Sequence, residues 1–283
     1  MSILCGLLVA LCWGTGDFVL SRINRAVGVL PTLLYVQTGG LIMISLVILA
    51  GRDLPPLDPW LWLLAIGVNG FNLAGTLLLY HALGVGTLAI VSPIIASFAA
   101  VTTVLALASG ERPTPLALGG LALVMGGVIV VARAPGVGSV TPAPALGRGV
   151  LAAIGAAVCY GIFFWLLRPV TASMGIAWPI LIGRVMTLIV AVAALALRRK
   201  ERPPPRPSWL WGAVALATIF DTVGFLSYNF GIGTAYVSVV TALASIFSAV
   251  TVLLAWVLLR ERLVSSQWAG VIVVLAGVLL VSV

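Results

Sequence analysis

Apolar runs of about 20 residues repeat along the chain from end to end, broken only by short interruptions of charge, proline and glycine. Each run is long enough to cross a hydrocarbon core of about 30 Å as a helix. The interruptions predict ten spans, at about 3–21, 31–50, 58–80, 86–108, 115–132, 149–168, 177–198, 208–230, 234–259 and 264–283. The most polar connection, "RRKERPPPRPSW" at 198–209, reads as an exposed loop, because its prolines and like charges resist packing. "ARAPGVGSVTPAPALGRG", from Ala132 to Gly149, is rich in Pro and Gly and uncharged in its middle, which makes it a linker. The division is a first five-helix repeat at 1–132, a linker at 133–148 and a second repeat at 149–283.

The two parts echo each other in order, at a separation of roughly 150 residues. Cys12-Trp13-Gly14 matches Cys159-Tyr160-Gly161, Gly28 matches Gly175, and Trp60-Leu61-Trp62 matches Trp209-Leu210-Trp211. Phe71, Gly75 and Gly84 recur as Phe220, Gly224 and Gly233, and Ala100-Val101-Thr102 as Ala249-Val250-Thr251. Colinear tryptophans do not arise from composition bias. An odd number of helices per repeat sets the second copy upside down, so the fold class expected is all-α integral membrane, with ten transmembrane helices in two inverted five-helix repeats around a central cavity. In such folds the substrate site lies near the midplane where the halves meet.

Composition removes the soluble classes: 62% of residues are hydrophobic and 8% charged, against about 25% charged in soluble domains. The formal charge of +8 would otherwise raise nucleic acid as a partner. Here most of the basic residues lie between apolar runs, without a basic patch interleaved with aromatics, so they read as orientation signals and the partners expected are lipid and a small molecule. Cys5, Cys12 and Cys159 fall within spans without CxxC or metal-ligand spacing and read as small packing residues. The first span lacks a basic n-region and a small-residue cleavage site, so it is expected to be retained.

The opening "LLVALCWGTGDF", the charge steps "GER" and "RER", and the helices "GGLALVMGGVIVV" and "AGVIVVLAGVLLV" that follow them resemble the EamA family of the drug/metabolite transporter superfamily. The resemblance covers essentially the whole chain. It implies ten helices, two five-helix repeats, a cavity lined by the first helices of each half, and alternating access. Its substrates, on one scaffold, include amino acids, metabolites, cations and drugs. The acid of "GTGDF" departs from the apolar or Ser/Asn residue more common there.

The polar side chains well inside the spans are Asp17, Gln37, Asn69, Asn72, Arg184 and Asp221. The repeat pairs Gln37 with Arg184 and Asn72 with Asp221. Asp221 lies about 20 Å into the eighth span and Arg184 about 10 Å into the seventh. These helices run antiparallel, so the two meet at nearly one level. Either they form a buried ion pair that holds helices together, or they face the cavity and bind substrate or a coupling ion. Arginine grips carboxylates and phosphates bidentately, and an intramembrane aspartate is a proton carrier. Asp17, also about 20 Å into its helix, has three possible partners: Arg22, cavity water or a substrate cation. Gly14 and Gly16 beside it let a helix or ligand approach the backbone. The aromatics Trp13, Tyr160, Phe163, Phe164 and Trp165 form either a cavity wall or lipid-facing surface. His81, the single histidine, reads as interfacial.

The candidate substrate-binding residues are therefore Trp13, Asp17, Gln37, Asn72, Tyr160, Arg184 and Asp221, with Asp17 and Asp221 as candidates for proton coupling. With Asp17, Asp221 and Arg184 ionised, the core carries one net negative charge, which tilts the substrate toward a cation, a zwitterion or a proton. No catalytic residue, metal or cofactor is called for: paired carboxylates, Ser/His arrangements and phosphate-binding Gly-rich loops do not occur. Orientation is left with two answers, since the basic loops place both termini outside the cytoplasm whereas the resemblance places them inside. The function expected is a secondary transporter of small organic solutes, a permease of the cytoplasmic membrane working by alternating access, proton-coupled or exchanging. One chain suffices for a site, and a dimer is allowed. The competing readings are a scaffold protein of the membrane and a channel without coupled transport.

Overall fold

The structure, a computed structural model, describes residues 2–86, 91, 94–133, 143–197, 208–234, 236–259, 268–270, 272–273, 276–277 and 280. The helices with stated bounds are α1 (Ser2–Val27), α2 (Val29–Gly51), α3 (Pro59–Val85), α4 (Phe98–Ala108), α5 (Pro115–Arg133), α6 (Ala143–Met174), α7 (Trp178–Leu197), α8 (Leu210–Thr234), α9 (Val237–Ala244) and α10 (Phe247–Leu259). This is an all-helical membrane protein, and seven stretches among the described residues are long and apolar enough to cross a bilayer.

Local chemistry sets the joints. α1 turns into α2 at Gly28 and α6 into α7 at Gly175, with φ of +88° and +81°, a region open to glycine without a Cβ penalty. At both turns the glycine N–H donates to a carbonyl four residues back, Asn24 O and Thr171 O, each at 2.9 Å. α3 starts on Asp58, whose Oδ1 accepts the Trp60 N–H at 2.9 Å, with Pro59 in the first turn, where its missing N–H costs nothing.

Several expected spans differ. The fourth, expected at 86–108, is helical at Val91 and over Ile94–Ala108 among the described residues, with a turn at Ser97, while the fifth, expected at 115–132, is the helix α5, Pro115–Arg133. The ninth, expected as one helix at 234–259, breaks between α9 and α10. The Ser97 hydroxyl donates to Ile94 O at 2.6 Å, and the Ser245 hydroxyl to Ala242 O at 2.7 Å. Serine bonding back onto its own helix competes with the backbone ladder and bends it. The sixth span continues past its expected end at 168, through Pro169 to Met174, because neighbours in a bundle compensate the lost backbone bond. Residues 198–207 of the loop expected at 198–209, the middle of the linker and most of the tenth span lie outside the described residues.

The packing repeats between the halves. α1 runs along α8 while α3 runs along α6, and α1 crosses α10 while α4 crosses α6. α2 meets α8 as α3 meets α7, and α2 also packs on α7 and α4 on α9. Matching contacts hold these pairs. The Thr102 hydroxyl donates to Gly161 O at 2.9 Å, and the Thr251 hydroxyl to Gly14 O at 3.1 Å. A side-chain carbon at Gly14 would lie 2.6 Å from Val250 Cβ, and one at Gly161 would overlap Val101, so both glycines are occupied by helix packing.

Candidate functional site

A cavity lies where α1, α2, α3, α6, α7 and α8 come together. Its volume, counted as the space open to the centres of water molecules, is about 60 Å³, enough for about four to six waters or a small organic group. All seven sequence-predicted residues line it: Trp13 and Asp17 from α1, Gln37 from α2, Asn72 from α3, Tyr160 from α6, Arg184 from α7 and Asp221 from α8. Asn69, Thr76 and Tyr80 on α3 and Phe225 on α8 also reach it. Phe225 follows Asp221 by four residues and so shares its helix face, a signal that the sequence held.

Arg184 organises the polar side. It is 4% exposed and ion-paired to Asp221. Its Nη1 donates to Gln37 Oε1 at 2.9 Å and its Nη2 to Thr222 Oγ1 at 3.5 Å. The guanidinium carbon stands 5.5 Å from the centre of the Phe225 ring, within cation–π range. Gly40 makes room for this head group, since a Cβ there would sit 2.8 Å from Arg184 Nε. The guanidinium is thus committed to three side chains, while Asp221, 31% exposed, keeps an edge toward the cavity.

Asp17 is different. It is half-buried and lines the cavity, yet has no hydrogen-bond or ion-pair partner among the described residues. The expected alternative of pairing with Arg22 is not what the structure shows: Arg22 is exposed, and five residues along a helix turn the side chains about 140° apart. Trp13, one turn earlier on the same face, centres a ring cluster, with Phe225 at 5.3 Å, Phe164 at 5.4 Å, Tyr228 at 5.7 Å and Phe98 at 6.4 Å. Tyr160 is fixed by a 3.1 Å hydrogen bond between its hydroxyl and that of Thr76. Trp165, expected with the aromatic wall, instead donates its Nε1–H to Ser109 Oγ at 2.9 Å, outside the cavity lining. His81 is exposed at the end of α3.

A second polar cluster, missed by the sequence reading, joins the halves away from the cavity. Glu111, before α5, accepts the Val237 N–H at 2.9 Å, the Ser238 N–H at 3.2 Å and the Ser238 hydroxyl at 2.7 Å, and it pairs with Arg168 at 3.2 Å. A carboxylate at this position satisfies the free N–H groups that begin α9 and suits the helix dipole. The only sequence signal was the acid of the "GER" step.

These features define a multi-pass helical membrane protein with an internal cavity built from polar and aromatic side chains of both sequence halves. The chain belongs to the EamA-like transporter family, whose model matches residues 1–133 and residues 147–283. This is a family of membrane transporters, not of enzymes, and it implies a small-molecule substrate. A crystal structure of another protein is similar to this chain with a TM-score of 0.75 at 19% identity, covering 99% of this chain and 95% of its own; the likeness concerns the fold alone. No curated protein sequence matches the chain.

Proposed function

We propose that this protein is a secondary transporter that carries small organic solutes across the cytoplasmic membrane by alternating access. Ten transmembrane helices form two inverted repeats, at 1–132 and 149–283 with a linker at 133–148, and one chain holds a complete site. Trp13, Asp17, Gln37, Asn72, Tyr160, Arg184 and Asp221 contact the solute or set the field around it, and Asp17 and Asp221 are the proton-coupling candidates. Energy comes from a proton gradient, from exchange or from the solute gradient itself.

The observation that carries this reading is the Gln37–Arg184 hydrogen bond. The repeat alignment matches these two residues to each other, and under a twofold relation a residue touches its own counterpart only at the axis. Phe98 and Phe247, another matched pair, also stack, with ring centres 6.2 Å apart and planes 19° apart. Both contacts involve residues that line the cavity system. The halves therefore meet around the solute space, the arrangement in which rocking of one repeat on the other exposes a site to each face alternately.

The test is flux into proteoliposomes containing the full chain, with labelled amines, amino acids, nucleosides and sugar phosphates outside. At least one solute is expected to enter with saturation and to be accelerated by the same solute inside. Asp221→Asn is expected to abolish that flux in protein that still elutes as a folded species. Flux linear in concentration and insensitive to trans solute would mean a channel, and no flux of any solute would remove the transport reading.

A further inference from the structure

Asp17 is not part of the Arg184 network, and the cavity does not end at it. A second chamber, again of about 60 Å³, opens beyond this acid and is walled by Phe98, Phe164 and Phe247. Trp13, Asp17, Tyr160, Asp221 and Phe225 line both chambers. Asp17 thus stands at the junction of an amide- and hydroxyl-lined space and an aromatic one.

The charges around this junction are unequal. Arg184 is the sole cation among the described residues lining the cavity; its Nη1 and Nη2 are taken up by Gln37, Thr222 and the ion pair with Asp221, and its Nε, without a hydrogen-bond partner, packs against Gly40. Asp17 is left as the uncompensated charge. An intramembrane carboxylate without a partner is costly, and a ligand that neutralises it recovers that cost on binding. Asn72 adds a buried Oδ1 in the same cavity with no hydrogen-bond partner among the described residues, an acceptor suited to an N–H. The ring faces on the other side favour positive charge and apolar bulk, and repel anions.

We propose that the site takes an organic monocation, with its ammonium group at the carboxylate of Asp17 and an aromatic or apolar body in the chamber walled by Phe98, Phe164 and Phe247. The proposal rests on the transport reading of the cavity and names its substrate class. A free carboxylate on the ligand is disfavoured by the same arrangement: it would meet Asp17 and Asp221, and the one described cation of the lining, Arg184, is already ion-paired. Amines are accordingly preferred to the amino acids that share their side chains.

The experiment is direct binding to the purified full chain in nanodiscs, with phenethylammonium, butylammonium, phenylalanine, phenylacetate and 2-phenylethanol as probes. The expected order is phenethylammonium first, butylammonium next because it lacks the ring, and phenylalanine well behind, with phenylacetate and phenylethanol not bound. Asp17→Asn is expected to weaken phenethylammonium about tenfold or more, the loss of one charge-assisted contact. Phenylalanine or phenylacetate binding as tightly as phenethylammonium would overturn the proposal, as would no binding of phenethylammonium at all. Both outcomes are read on the unaltered protein and do not depend on how Asp17→Asn folds. Amine binding without flux in the proteoliposome assay would sink the transport reading and leave the amine site standing; saturable flux of amino acids with no amine binding would do the reverse.

Discussion

Asp17 and Asp221 face the same cavity from opposite halves of the chain, yet they live under different electrostatic conditions. Asp221 is ion-paired to an arginine that is itself held by Gln37 and Thr222. Asp17 has no such partner among the described residues and stands beside the Trp13 ring cluster. The repeat sharpens the contrast, because the position matching Asp221 is the uncharged Asn72, and the one matching Asp17 falls at Phe164. The close helix contacts come in matching copies in the two halves, whereas charge lies where the halves differ. A paired acid is expected to act on stability and on the state of its arginine. An unpaired one is free to act on a ligand.

The largest effect should follow from breaking the paired side. Arg184→Met strips the guanidinium from a buried network and leaves Asp221 and Gln37 without it, so stability is expected to fall by about 3–5 kcal/mol. A large drop in the melting temperature of the detergent-solubilised protein checks this. Adding Asp221→Leu to Arg184→Met removes the stranded carboxylate and should recover most of the loss, as replacement of both members of a buried pair by apolar groups often does. If the double variant is no better than the single one, Asp221 contributes through contacts other than the ion pair. Gln37→Leu is a smaller break on the same side. It removes one bond to a charged group and is expected to cost about 1.5–3 kcal/mol, seen as an intermediate melting shift.

Much of this contrast was legible in the sequence, and for a physical reason. In a chain of apolar runs a polar side chain within a span is conspicuous, because hydrocarbon penalises it unless it has a use. That is how five of the seven candidates were found, Trp13 and Tyr160 being read as aromatics instead, and the structure gathers all seven around one cavity. Phe98 and Phe247 were invisible to the same reasoning, since an aromatic facing a chamber and one facing lipid satisfy the same pattern. The helix breaks near Ser97 and Ser245 were hidden likewise: serine is common in membrane helices, and only the hydroxyl bonded back to its own helix marks the bend. Glu111 was seen as a motif residue, but its partners Val237 and Ser238 lie in the other half of the chain and required the fold. The Arg22 alternative for Asp17 failed on helical phase, which the sequence alone could have excluded.

The smallest change in stability belongs to the unpaired acid, and it decides between the two sides most cleanly. Asp17→Asn keeps the side chain's size and removes a charge that forms no ion pair with a described residue, so no native contact is lost with it. Stability is expected to stay within about 0.5 kcal/mol of the unaltered protein, with any change toward greater stability, because an uncompensated intramembrane charge is relieved. The melting temperature without ligand measures that term alone. The same variant in the presence of phenethylammonium measures the other: the unaltered protein should gain melting temperature with added amine, and Asp17→Asn should gain far less at equal concentration. A variant that instead melts well below the unaltered protein without ligand would mean that Asp17 holds helices together rather than standing free for a ligand.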